Sequence, residues 1–380
     1  MRKHQRLLGL MILIFLVVLC GHPAEASPWA SDSQMDALIQ EAQSMIDRQA
    51  AYDETSSWTD ATKIETLIPT FDLEDQLNGV IINLATEGKM SGYLRVALDP
   101  STGAWDMMEF GYDGEYLIDG HSMQEFSSSD ENRLVFSGLL RAYRKEQDRL
   151  FSMDRTVDCT DEKAEIEASI QHMYRQVNES GTRLFSSRSA LSKEQVVYSN
   201  KYVANLWKEG YLPVVMEDFS SEGVCAPTCG VNILKYWHEC RGIDALYPAS
   251  DTTLQQTFQK LYQYMGTTET GTYSRNAYRG LLRYCKEERF TSPAGSEDHP
   301  GFDWAWVKRN VDNGNPFYMG ADIKHFNGQD GSHAFFAVGY QECSDGNYIR
   351  VGTQWDTSFS HFFKTRYADD ITSTWYVRWK

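Results

Sequence analysis

Basic charge is scarce in this sequence. It has 36 Lys and Arg against 53 Asp and Glu, a formal net charge of −17. No basic cluster stands out that could hold a phosphate backbone, so nucleic acid is excluded as a natural partner. Long apolar runs are scarce too. Beyond the first 26 residues none reaches the roughly 20 residues a membrane-spanning helix requires. Cysteine is sparse. Only six of the seven lie beyond residue 26, at Cys159, Cys225, Cys229, Cys240, Cys285 and Cys343, which is too few in this length for a disulfide-built scaffold. Internal repeats and extended low-complexity tracts are absent. What the chain does have is apolar material: 42% hydrophobic and 13% aromatic residues. That is enough for packed cores, and 380 residues suit two domains of roughly 150 each.

The N-terminus reads as a signal peptide over residues 1–26. Arg2, Lys3 and Arg6 precede an apolar run from Leu7 to Cys20, and Ala24-Glu25-Ala26 supplies a small-x-small cleavage signal before Ser27. An uncleaved anchor is the alternative. Lipidation at Cys20 is disfavoured because Leu19 stands where a small residue belongs. The protein is therefore expected outside the cytoplasm, secreted or at the cell surface. There a retained free thiol is exposed to oxidation and invites a functional explanation; the bland alternative is buried cysteines or one or two bridges.

Along the mature chain, apolar spacing at Leu38, Ala42, Met45 and Ile46 predicts a helix over 33–52. Residues 63–118 hold short β-rich runs split by turn signals such as Glu87-Gly88 and Asp99-Pro100. Together, 27–124 forms a small α+β region. Residues 125–200 look like a charged helical connector, with helices over 134–151 and 162–177. From 201 to 380 the order is helices (228–240, 253–265, 278–288, 304–311), then strands (from 316, 333–340, 348–351). That order predicts an α+β domain.

Two segments carry chemistry. In Gly223-Val224-Cys225-Ala226-Pro227-Thr228-Cys229, Pro227 suits the first turn of a helix. Cys225 then sits at the helix N-terminus, where unpaired N–H groups and the dipole favour a thiolate. Cys229 lies one turn on, sharing an apolar face with Ile233 and Trp237. A metal set of Cys225, Cys229, His238 and Cys240 fits no common zinc spacing, so no metal and no cofactor is called for. In Gly331-Ser332-His333-Ala334-Phe335-Phe336, His333 opens a hydrophobic strand after a glycine-rich approach. A cysteine nucleophile needs a base that also returns the proton, and histidine does both near neutral pH. Pairing Tyr340 with Tyr348 would put His333 opposite Trp355, with Thr353 on its face and Asp356 off it unless a bulge intervenes.

Together these segments resemble papain-fold bacterial peptidases, specifically the C39-like group akin to bacteriocin-leader peptidases and, more distantly, streptopain. There a Cys-x-Pro-Thr-small element opens a buried central helix, matching Cys225 to Cys229, and a His-hydrophobic-Gly-Tyr strand matches His333 to Tyr340. Tyr264-Met265-Gly266-Thr267 and Gly314-Asn315-Pro316-Phe317 also look familiar from the group. Phe71-Asp72-Leu73, Ser91 to Val96 and Met108 to Tyr112 resemble the pro-domain of such enzymes. The resemblance implies a papain-like α+β fold, with residues 201–380 as a peptidase domain acting on peptide or protein substrates. It also implies a zymogen, the N-terminal region covering the cleft until cleavage within 125–200.

Two departures stand out. The third catalytic position falls on Thr353, so Asp356 or Asp345 would have to substitute. The upstream glutamine of the oxyanion hole is missing, leaving Ser220, Ser221 or backbone N–H groups. Both departures keep a catalytically impaired peptide- or surface-binding protein open; a cell-wall amidase or transpeptidase on the same fold is a further alternative.

Overall fold

The computed structural model describes residues 32–127, 132–180, 197–219, 223–246, 251–325 and 327–380. The signal-peptide expectation over 1–26 and the oxyanion candidates Ser220 and Ser221 lie outside the described residues.

The chain opens with helix α1 (Asp32–Tyr52). Its Leu38, Ala42, Met45 and Ile46 are buried, as their helical spacing requires. A meander follows: β1 (Thr62–Phe71), β2 (Leu77–Thr86), β3 (Lys89–Asp99) and β4 (Ala104–Gly111). Glu87 and Gly88, at φ +53° and +78°, form the tight β2–β3 turn, the left-handed pair that suits a two-residue hairpin. A separate hairpin, β5 (Leu117–Ile118) with β6 (His121–Ser122), stands outside the main sheet.

The expected helix over 134–151 is instead three strands: β7 (Arg133–Phe136), β8 (Ala142–Glu146) and β9 (Arg149–Phe151). Charge density there suggested a solvated helix. Two of the basic side chains there are buried, however: Lys145 is 5% exposed, its Nζ lying 2.6 Å from Asp75 Oδ1 in the β1–β2 turn, and Arg144 is 6% exposed. The second expected helix exists as α2 (Lys163–Ser180).

Beyond β10 (Val197–Tyr202) come α3 (Cys225–Glu239), α4 (Asp251–Tyr264), α5 (Ser274–Glu288), β11 (Gly295–Pro300) and α6 (Trp304–Asp312). They are followed by β12 (Phe317–Lys324), β13 (Asp330–Cys343), β14 (Gly346–Gly352), β15 (His361–Lys364) and β16 (Ile371–Arg378). The fold is α+β, as expected.

β13 shows why the sheet forms here. Its Ala334, Phe336 and Val338 pack into one core with Cys229, Ile233 and Trp237 of α3. Phe335 and Ala337 pack into another with Trp306 and Val307 of α6 and Ile166 and Ile170 of α2. The period-two pattern thus covers both faces with helices.

The sheet does not divide near residue 200. One 14-stranded, mostly antiparallel sheet runs β11-β16-β12-β13-β14-β15-β4-β3-β2-β1-β7-β8-β9, with β10 also on β13. The join is β15 on β4, with Phe362 opposite Phe110 and Phe363 opposite Glu109. Across it Phe110 stacks on Phe362, 4.5 Å between ring centres. Buried polar ties reinforce it: Lys364 Nζ lies 2.6 Å from Asp106 Oδ1, and Arg350 Nη1 donates to Thr55 Oγ1 at 2.7 Å. The small N-terminal sheet and the C-terminal sheet expected from the sequence are thus continuous. No described helix is long and apolar enough to cross a membrane.

Candidate active site

Cys225 is the first residue of α3. Gly223, at φ +64°, delivers it: a Cβ there would fall 2.3 Å from the Thr268 carbonyl oxygen, so only glycine fits. Asn232, fully buried on α3, fastens the approaching extended segment. It accepts from Val214 N at 2.7 Å and donates to Val214 O at 2.9 Å.

The Cys225 thiol faces the start of β13, 3.9 Å from the Ser332 carbonyl. Burial pushes its pKa up, and the N–H groups of Ala334 and Ala226 oppose that. The thiol thus meets β13 at the two peptide groups flanking His333. One turn on, Cys229 is wholly buried and donates to Phe335 O at 3.5 Å. It is a packing residue. All six described cysteines are free thiols.

His333 is 2% exposed. Its Nε2 lies 2.7 Å from the Thr353 carbonyl oxygen. A carbonyl only accepts, so Nε2 carries the proton and the neutral ring keeps its lone pair on Nδ1. The ring stacks on Trp355, 4.7 Å between centres at 29°. Burial pulls its pKa down to about 4, against the Thr353 hydrogen bond, which raises it. Among the described residues no hydrogen bond joins thiol to imidazole; each is held by its own partners.

The strand register differs from the expected one near the site. Tyr340 pairs with Ile349, one residue off the expected Tyr348. A bulge at Val338 then resets the ladder, so that Phe336 pairs with Gly352, where β14 ends; Trp355 reaches His333 from the segment beyond it by ring stacking.

Thr353 serves through its backbone rather than its hydroxyl, so the missing carboxamide or carboxylate leaves no gap in orienting the ring. Asp356 is not the partner of His333. Both its oxygens lie 3.1 Å from His361 Nε2, which keeps Asp356 low and His361 high despite burial of both. Asp345 is held by Tyr348 and Lys364. Two residues escaped the sequence reading. Gln354, at φ +67° and buried, accepts from Met216 N through its carbonyl and donates from Nε2 to Ala334 O. His361 is the other, its Nδ1 lying 3.0 Å from Tyr93 OH. An Asp-x4-His spacing was the only signal for the latter. Among the described residues no group of side chains could hold a metal ion.

His361 belongs to a buried polar cluster at the β4–β15 join. Glu109 lies there, 3.8 Å from Arg95. Burial raises its pKa to about 7, with Arg95 and His361 opposing. A raised native pKa binds a proton that the unfolded chain has released. Its stabilisation is complete below about pH 4.5 and is lost as pH rises through about 7. The full difference is about 3 kcal/mol. Urea midpoints of the full chain should therefore fall between pH 5 and 8, more steeply than those of Glu109→Gln. Equal slopes would remove Glu109 from this role.

Residues 201–375 match the sequence family described as Peptidase_C39 like family, a little under half of the chain. No curated protein matches the sequence. Among solved structures, one from Bacillus anthracis described as a C39-like peptidase aligns at 14% identity. The alignment covers 47% of this chain and 98% of that one, with a TM-score of 0.31.

Proposed function

We propose that the chain is a secreted cysteine endopeptidase of papain-like fold, made as a zymogen. Cys225 is the nucleophile and His333 the general base. The observation that carries this is the junction of α3 and β13. A thiol at a helix N-terminus abuts the peptide groups on either side of a histidine whose proton is fixed on the far nitrogen. The C39-like family match over the same residues supports it.

The chemistry follows from these groups. Nδ1 takes the thiol proton, and the thiolate attacks the peptide carbonyl carbon. The oxyanion faces the N–H groups at the start of α3. The amine leaves with the proton from the imidazolium, giving a thioester. Water, deprotonated by Nδ1, then hydrolyses it and restores the thiol. Burial disfavours the ion pair in the present arrangement, raising Cys225 and lowering His333. We therefore regard it as the covered, resting form, whose thiol–imidazole contact tightens when substrate enters.

Alkylation by iodoacetamide at pH 6 tests the pairing on wild-type and His333→Ala protein, both cleaved between α2 and β10 by an added protease. An isolated thiol is less than 1% ionised there, whereas an ion-paired one is largely thiolate. His333→Ala should slow alkylation of Cys225 about 10²-fold. Equal rates would remove His333 as the activating base. A peptide-binding protein without turnover is the second reading. It is favoured by the neutral resting pair, and it predicts no cleavage of casein or of the precursor.

A further inference from the structure

We propose that the β5–β6 hairpin is a gate over the Cys225–His333 cleft, latched to His325, and that it opens without release of the N-terminal half of the chain. The inference rests on Cys225 as the nucleophile and deepens that assignment by naming what controls access to it.

The hairpin is short and paired only with itself, two residues on each side. Asp119 and Gly120 form its tip at φ +49° and +82°, a turn in which both central residues are left-handed. From this tip Asp119 Oδ2 reaches His325 Nδ1 at 3.2 Å, each side chain partly buried. His325 follows β12 directly and begins the loop that leads into β13 and His333; its own N–H closes that loop onto the Gln329 carbonyl at 3.0 Å. The hairpin tip is thus tied to the segment that positions the base.

Gly120 stands over Trp355, since a Cβ built on it would lie 3.9 Å from Trp355 Cδ1. Trp355 is the ring stacked on His333. Asp119, Thr353, Trp355 and Asp356 line one crevice there. The Asp119 charge is felt at both reacting groups, raising the Cys225 thiol and raising His333. The first effect opposes the thiolate and the second favours the imidazolium, so the two offset for the ion pair. Lifting the tip acts by freeing the face of Trp355.

The motion is local. Ile118 and Met123 are buried beside Tyr116 and Phe136, rooting the hairpin in the N-terminal core. His121 and Ser122 are exposed, so the outer arm of the tip has no core to leave. The remainder of the N-terminal half is fixed by the β4–β15 ladder, by Phe110 on Phe362 and by the Lys364–Asp106 pair. Cutting the chain between α2 and β10 breaks none of these. A cleaved N-terminal fragment therefore stays bound, and access to the cleft is set by the tip.

The test uses the full chain carrying Asp119→Asn, His325→Asn and both together. Asparagine tolerates the left-handed turn, so the first variant removes charge and keeps shape. Iodoacetamide is the probe, read at Cys225 by peptide mapping, with hydrogen exchange alongside. Each single variant should raise the alkylation rate roughly twofold to fivefold, as loss of one partly exposed ion pair allows. The double variant should be no faster than either, because both remove the same contact. Exchange should rise in 117–122 and stay slow in β3, β4 and β15. Unchanged alkylation in all three variants overturns the gate, and so does additive acceleration. Exchange spreading through β3, β4 and β15 overturns the retention of the N-terminal half. Faster alkylation without casein hydrolysis in any variant, before or after cleavage between α2 and β10, upholds the gate and overturns the peptidase assignment instead.

Discussion

Replacing Cys225 by serine should lower kcat/KM for peptide hydrolysis by at least about 10⁴-fold and leave stability within about 0.5 kcal/mol. The two effects separate because Cys225 is the one partly exposed cysteine among the described residues. Its sulfur packs only at the margin of the core, so an oxygen in its place removes reactivity and little packing. His333→Ala should cost a similar factor, and the double variant no more than either alone, as the proposed nucleophile and base acting as one unit would require. Cys229→Ser is the internal control. That thiol lies wholly within the core against Phe335 O, so the change should cost stability, about 1–3 kcal/mol, and leave turnover within a few fold. Steady-state kinetics with urea unfolding of the three variants checks the whole pattern.

The second large effect concerns the join between the halves. Asp106 and Lys364 are 3% and 1% exposed, and Asp106 also accepts from Tyr367 OH at 2.9 Å. Removing Asp106 strands a buried ammonium with only Asp345, at 3.4 Å. Asp106→Ala should therefore destabilise the full chain by about 3–5 kcal/mol. Pairing Asp106→Leu with Lys364→Met should recover much of that, because no charge is then left without a partner. Unfolding should remain a single transition, since β4 and β15 share one sheet. A separate early transition for residues 32–180 would show that the two halves fold independently.

Much of the site was legible in the sequence, and for local reasons. Pro227 three positions into a helix fixes where that helix starts, and so places Cys225 at its N-terminus. The alternation from Ala334 to Val338 identifies a strand with both faces covered, and so places His333 at its beginning. Thr353 was legible only as a departure, because sequence spacing reports side chains, and here the partner of His333 is a carbonyl oxygen. Asp356 was misassigned because its partner, His361, belongs to β15, whose pairing with β4 joins segments some 250 residues apart. The strands over 133–151 were missed because Arg144 and Lys145 sit 6% and 5% exposed, held by distant carboxylates that no local pattern reveals. The gate was hidden for the same reason: Asp119 and His325 are 206 positions apart.

The most direct measurement of the central claim is trapping of the nucleophile. The full chain is incubated near neutral pH with a peptidyl epoxide, which alkylates a thiol only when substrate-like binding presents it to an activated sulfur. Sites are then mapped by mass spectrometry. One adduct on Cys225, lost in His333→Ala and unaffected by Cys229→Ser, is the predicted result. An adduct on Cys229, or one on Cys225 that persists undiminished in His333→Ala, would contradict the Cys225–His333 pairing.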